Sequence, residues 1–301
     1  MLWNHYHTPS TVQEALELLH SYEGRAQVVA GGTDLLLDIR FGNVPAPEAL
    51  IDITRIQELH QLEADADALY VGAGVTHARI ARSALVRRHA TCLAEGCGVV
   101  GGPQVRNVAT LGGNVAHALP AADGTTALIA LDAEAEVILD GERQWLPLRE
   151  LYRGPGQSLL DHGRDLLLRF RIPLSGAHEG SAFSRIMRPQ GVALPILGGA
   201  AWVRLDENGA LYKDVRICIG PVAKTPTRAA AVEDVLRGRP VSDSALERAV
   251  DVALETLHPR TSKYRATKAY RREMITVILR RILPRAVQRA RSGVPVPQVR
   301  A

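Results

Sequence analysis

The chain has 301 residues, 46% of them hydrophobic, with 36 Lys and Arg against 32 Asp and Glu and a net charge of +4. That length holds one large or two medium domains, and that composition supplies a packed core, which excludes a disordered or fibrous chain. No apolar run approaches the ~18–20 residues of a membrane span. Cys92, Cys97 and Cys218 make neither a disulfide framework nor a metal-ligand spacing, so they read as buried small hydrophobes in a reducing compartment. The N-terminus, Met1-Leu2-Trp3-Asn4-His5, has no basic region ahead of an apolar core. A soluble cytoplasmic protein is expected.

The charge is uneven. From His258 onward twelve Lys and Arg stand against one acidic residue, Glu273, which leaves 24 basic and 31 acidic residues before that point. A basic C-terminus suits a solvated helix face, an acidic protein partner or nucleic acid. No stacking aromatics interleave the charges, so protein contact is preferred to nucleic acid.

In chain order, Val12, Ala15, Leu16 and Leu19 are spaced for a helix face, with Ser10 and Gln13 as a capping box. A strand over 27–30 runs into Ala30-Gly31-Gly32-Thr33-Asp34-Leu35, and 35–41 reads as a helix ended by Gly42 and Asn43. A strand at 50–53 follows. A second unit starts near Leu59, with a strand at 69–73, Thr76 as a helix cap and helical segments to about Cys97. The stretch 96–114 is rich in glycine and reads as a loop, flexible or shaped to a ligand. A helix over 125–131 precedes a strand over 135–139 and another over 166–172. Ser175 to Gly180 reads as a linker. Strands 197–205 and 211–219 flank the turn Asp206-Glu207-Asn208-Gly209, a hairpin signal. Helices follow over 228–236, 243–257 and 267–283. In the last, Tyr270, Met274, Val277, Ile278 and Ile282 make the apolar face and Arg271, Arg272, Arg280 and Arg281 lie away from it. Pro295 and Pro297 mark a loose tail.

The chemistry sits in two glycine stretches. Gly31-Gly32 between a strand and a helix lets backbone N–H groups turn toward an anion at the positive end of the helix dipole. Thr110-Leu111-Gly112-Gly113-Asn114 repeats that chemistry further on. Two such loops could hold one diphosphate from two sides. There is no G-x-G-x-x-G, so the usual first βα nucleotide site is not indicated. No nucleophile–base constellation, zinc spacing or iron–sulfur cysteine set is present in the sequence.

Those stretches, the lead-in Gln104-Val105-Arg106-Asn107, the trailer Pro120-x-x-Asp123 and the C-terminal Gly220-Pro221 and Lys263-Tyr264-Arg265 resemble the FAD-binding medium subunit of the xanthine dehydrogenase/carbon monoxide dehydrogenase family of molybdenum hydroxylases. The family's A-G-G-T-D-L is matched at Ala30–Leu35, and its T-I-G-G-N at 110–114 with Leu111 at the Ile position. Its S-P-x-x-D is matched with Leu119 in place of Ser.

The resemblance implies an α+β chain: an FAD-binding fold of the p-cresol methylhydroxylase/vanillyl-alcohol oxidase type over 1–174, in subdomains 1–57 and 58–174. A C-terminal domain of antiparallel strands and a three-helix bundle over 180–287 would follow, then a tail over 288–301. It implies FAD against Val28, Val29, Ala30, Gly31, Gly32, Thr33, Asp34 and Leu35, with Thr110, Gly112, Gly113 and Asn114 as the other wall. His117 would lie near the cofactor, and Asp123 would bond a ribityl or ribose hydroxyl unless it caps a helix. Leu167 would lie near the adenine or flavin. Arg185 stands where the family often has a lysine, and a cation there would favour negative charge on the flavin. The loop 188–192 falls where the family controls access to the flavin ring.

The resemblance also implies partners: a large molybdenum-cofactor subunit and a small subunit with two [2Fe-2S] clusters, as (αβγ)2, and an acceptor such as NAD, quinone or oxygen. No catalytic and no metal-binding residue is expected in this chain. Two other readings stay open here: a stand-alone flavin oxidase of the vanillyl-alcohol oxidase type, and a basic scaffold or nucleic-acid-binding protein.

Overall fold

The computed structural model describes residues 2–188, 194–263 and 265–294. The first unit holds β1 (His5–His7), α1 (Val12–Ser21), β2 (Ala26–Val29), α2 (Leu35–Phe41) and β3 (Ala49–Asp52). The strands form a parallel sheet in the order β1-β3-β2. Helix α1 buries Val12, Ala15 and Leu19 against it. Its cap is Thr11, one residue past the expected Ser10; the Thr11 hydroxyl accepts from Glu14 N, and Glu14 reaches back to Ser10.

The second unit opens with β4 (Leu62–Ala64) and β5 (Ala68–Gly72). Six short helices follow: α3 (His77–Arg82), α4 (Ala84–His89), α5 (Thr91–Gly98), α6 (Pro103–Val108), α7 (Leu111–Ala116) and α8 (Asp123–Ala130). Strands β6 (Glu134–Leu139), β7 (Glu142–Pro147), β8 (Tyr152–Gly154), β9 (Gln157–Ser158) and β10 (Leu166–Pro173) complete it. Its main sheet is antiparallel, in the order β4-β5-β10-β6-β7. Alternation sorts its faces: Leu69, Val71, Phe170 and Ile172 enter the core, while Arg169 and Arg171 on the other face lie over Trp145 at 5.6 and 4.6 Å. The glycine-rich stretch expected as a loop is mostly the two helices α6 and α7. Pro103 at the first turn and Thr110 as cap supply helix-starting signals that the glycines obscured.

The third unit contains β11 (Glu179–Met187), β12 (Pro195–Leu205), β13 (Tyr212–Gly220), β14 (Thr227–Arg228), α9 (Ala230–Leu236), α10 (Asp243–Thr256) and α11 (Lys268–Ser292). The strands pair in sequence as an antiparallel sheet, including the expected hairpin around Asp206–Gly209. The stretch read as a linker runs into β11. Its Gly180 makes room for α11, since a Cβ there would lie 2.3 Å from Ala286 O; on β12 Gly199 does the same, with a Cβ 2.4 Å from Ile278 Cγ2.

Helix α11 runs through Pro284, nine residues beyond the expected end. Its buried face is Ile275, Ile278, Leu279, Ile282, Leu283 and Ala286, so Tyr270 is exposed and Arg271 is buried, the reverse of the sequence reading. The Arg271 guanidinium is retained because Nη1 donates to Arg260 O. Much of the basic charge here is spent internally: Arg280 pairs with Glu247, Arg289 with Glu95, and Arg291 donates to Gly209 O. The proline tail lies outside the described residues. No helix among the described residues is long and apolar enough to cross a membrane.

Candidate cofactor site

The site begins where β2 ends. After Val29 the chain turns through Ala30–Asp34 into α2, and Gly32 takes φ +65°, a conformation costly for other residues. Gly31 presses on a neighbouring backbone: a Cβ there would lie 2.3 Å from Val108 O. Among the described residues, the N–H groups of Gly31, Gly32, Thr33 and Asp34 have no protein acceptor. Four open donors at the start of a helix are the chemistry of an anion cradle. Asp34 occupies the cap position of α2 but its carboxylate makes no capping bond. Val28 is half-buried and donates its N–H to His162 O, Val29 is buried, and Leu35 opens α2.

The second glycine stretch differs. Leu111 N donates to Val75 O, Gly112 N to Ala73 O, Gly113 N to the Thr110 hydroxyl and Asn114 N to Thr110 O. Its donors are therefore used, and it offers a surface rather than a second cradle. Gly112 is required by proximity, since a Cβ there would lie 2.5 Å from Ala73 Cβ. Gly113 is exposed. His117 ends α7 with Nε2 4.0 Å from Asp38 Oδ2 on α2, which brings the two helices together. The contact of Gly31 with the Val108–Ala109 backbone closes the two stretches on each other.

Asp123 and Arg185 meet behind the second stretch. Arg185 Nη1 donates to Asp123 Oδ2 at 2.6 Å, and both side chains are about 95% out of solvent. Asp123 is not the helix cap; Ala122 is. Burial pushes the Asp123 carboxyl up to about 6, against the opposing pull of Arg185 and of Arg265. Arg185 Nη2 also points at Met187 Sδ, and its Nε is buried with no partner. Leu167 is buried on β10, where the pairing with β6 shifts register, and β10 packs on α7.

One residue escaped the sequence reading. His77, the first residue of α3, is 1% exposed, and its Nδ1 has no partner. Burial, helped by Arg106, lowers its pKa to about 4. The available signal was its place directly after the cap Thr76 and beside the second glycine stretch, where its N–H donates to Ala109 O.

The arrangement fits FAD. The open N–H groups of 31–34 suit a diphosphate, and the second stretch, closed on Gly31, adds the half-buried Asn114 amide. Among the described residues no His, Cys, Asp and Glu cluster could hold a metal ion.

Comparison with known proteins agrees. The model for the FAD binding domain in molybdopterin dehydrogenase matches residues 3–175, and that for the CO dehydrogenase flavoprotein C-terminal domain matches 181–286. The xanthine dehydrogenase FAD-binding subunit of Escherichia coli O157:H7 is 29% identical, over 95% of this chain and 96% of its own length. The carbon monoxide dehydrogenase medium chain of Hydrogenophaga pseudoflava is 30% identical, over 92% and 95%. A solved carbon monoxide dehydrogenase from Hydrogenophaga pseudoflava, lacking the Mo-pyranopterin moiety of its cofactor, superposes with a TM-score of 0.88 at 29% identity, over 95% of this chain and 98% of that one. The expected α+β fold class is borne out. With both family models matched in order and the relatives aligned almost end to end, the chain belongs to the FAD-binding medium subunits of the xanthine and carbon monoxide dehydrogenase family, oxidoreductases of molybdenum-dependent complexes.

Proposed function

We propose that this chain is the electron-transfer subunit of a molybdenum hydroxylase. It takes electrons one at a time from [2Fe-2S] clusters of a small partner subunit, after substrate is hydroxylated at the molybdenum cofactor of a large one. It then passes them to an acceptor such as NAD, a quinone or oxygen. FAD supplies the exchange between one-electron and two-electron chemistry. The single observation that carries this reading is the row of open N–H donors at 31–34, closed against the second glycine stretch in a chain of this family.

The chain's own residues have separable roles in this reading. Gly31, Gly32, Thr33 and Asp34 hold the diphosphate through backbone N–H groups, and Val28, Val29, Ala30 and Leu35 flank it. Thr110, Gly112, Gly113, Asn114 and His117 form the facing wall. Asp123 orients a ribityl or ribose hydroxyl, Leu167 packs on the adenine or flavin, and Arg185 places positive charge beside the flavin. The segments 1–174 and 180–287 serve as the FAD-binding and C-terminal domains. A stand-alone oxidase is disfavoured because residues 181–286 match a C-terminal domain of the electron-transfer family rather than a substrate cap. Anaerobic addition of an oxidisable substrate to the assembled complex tests the route. Bleaching of the flavin band together with the iron–sulfur absorbance is expected; iron–sulfur reduction with an unchanged flavin band would contradict it.

A further inference from the structure

His77 lies outside both glycine stretches, and its burial needs a reason. A neutral imidazole has one N–H donor and one acceptor, and burying either without a partner is costly. His77 Nδ1 is one such atom. A second is Asn114 Oδ1, also buried and without a partner. The two side chains converge on Gly124 at the start of α8. The position a Cβ would take on Gly124 is 3.0 Å from Asn114 Oδ1 and 3.7 Å from His77 Cε1. A glycine is needed at this position, since a Cβ would also press on Leu111 Cδ1 at 2.9 Å.

The two orphans are complementary. Asn114 Oδ1 accepts only, and the imidazole donates in the tautomer protonated at Nδ1. Burial and the nearby Arg106 keep the ring neutral, so it carries one proton and no charge. The backbone on both sides is fixed. His77 N donates to Ala109 O, and Asn114 N donates to Thr110 O at 3.0 Å. A buried water between two such groups is a common way to satisfy both.

We propose that His77 is a positioning residue for the cofactor: its Nδ1–H, through one buried water beside Gly124, holds Asn114 Oδ1 inward and so turns the Asn114 NH2 toward FAD. The amide would otherwise be free to flip and present an acceptor to the ligand. A phosphate or carbonyl oxygen would then meet an oxygen in place of a donor. This rests on the reading of Asn114 as part of the FAD wall.

The test uses the assembled complex with His77→Phe, His77→Gln, Asn114→Ala and the double variant His77→Phe/Asn114→Ala. The readouts are the FAD dissociation constant and the flavin reduction potential, with complex assembly by gel filtration as the folding control. His77→Phe is expected to weaken FAD binding by about tenfold, the loss of one hydrogen bond to a buried group. His77→Gln, which keeps a donor, is expected to restore most of it. The double variant is expected to be no worse than Asn114→Ala alone. Additive losses, or normal FAD affinity and potential in an assembled His77→Phe complex, would overturn the proposal. Wild-type complex without FAD would instead remove the reading on which it rests. If His77→Phe does not assemble, Gly124→Ala replaces it, because a methyl there falls between the two side chains, 3.0 Å from Asn114 Oδ1 and 3.7 Å from His77 Cε1. Unchanged FAD affinity and potential in that variant would overturn the proposal as well.

Discussion

Arg185 on β11 donates to the Asp123 carboxylate on α8 at 2.6 Å, with both side chains almost wholly out of solvent. This pair joins the segment matched by the FAD-binding model to the segment matched by the C-terminal model. Removing one member leaves a buried charge. Arg185→Met is expected to destabilise the chain by about 3–5 kcal/mol. Asp123→Asn/Arg185→Met should cost less than Arg185→Met alone. Chemical unfolding of the four proteins of this cycle checks it.

Two buried groups give opposite pH signatures. Asp123 is raised to about 6, so folding favours its protonated form; its contribution is full below the ordinary carboxylate range and is lost as pH rises toward 6. His77 is lowered to about 4, so its contribution is full above the ordinary histidine range and is lost as pH falls toward 4. Asp123→Asn should therefore make stability rise more steeply with pH between about 4 and 6, and His77→Gln should make it rise less steeply. Thermal midpoints across that range read both slopes.

Gly31→Ala is expected to empty the cofactor site. The added Cβ would fall 2.3 Å from Val108 O, a backbone atom that moves only if the two glycine stretches separate. The FAD dissociation constant should rise by at least about tenfold, the effect of losing ~1.4 kcal/mol or more. Gly113→Ala meets only the Thr110 hydroxyl, at 3.2 Å, and should retain more FAD.

The last helix is held in part by its arginines. Arg289 Nη2 donates to Glu95 Oε1 at 2.6 Å and Nη1 to Ser181 O at 2.7 Å, both nearly buried at the arginine. Arg289→Met is expected to cost about 3–5 kcal/mol. Arg280→Ala, which breaks an exposed, solvent-screened pair with Glu247, should cost far less. Unfolding curves of the two variants separate these outcomes. Charge reversal at buried Arg271 should disrupt folding itself.

Much of the fold was legible because its signals are local. The glycine turn at 30–35, the cap at Thr76 and the hairpin at 206–209 each follow from backbone chemistry within a few residues. What escaped depends on distant partners. Strand β11 is poor in strand formers because its Gly180 makes room for α11. The α11 face was misassigned by one position because Arg271 finds Arg260 O, a partner that no periodicity reveals. At the site, the motifs located both glycine stretches. They could not show that the second spends its N–H groups on Ala73, Val75 and Thr110, nor that His77 and Asn114 each leave a buried polar atom without a partner near Gly124.

The most direct measurement is the absorption spectrum of the chain purified with the subunits that bind it, followed by identification of the cofactor released on denaturation. Flavin bands, released FAD in equal amount to this chain, and iron–sulfur absorbance from the partners are expected. An intact complex without flavin would contradict FAD binding by this chain and leave the open N–H groups of 31–34 to some other anion.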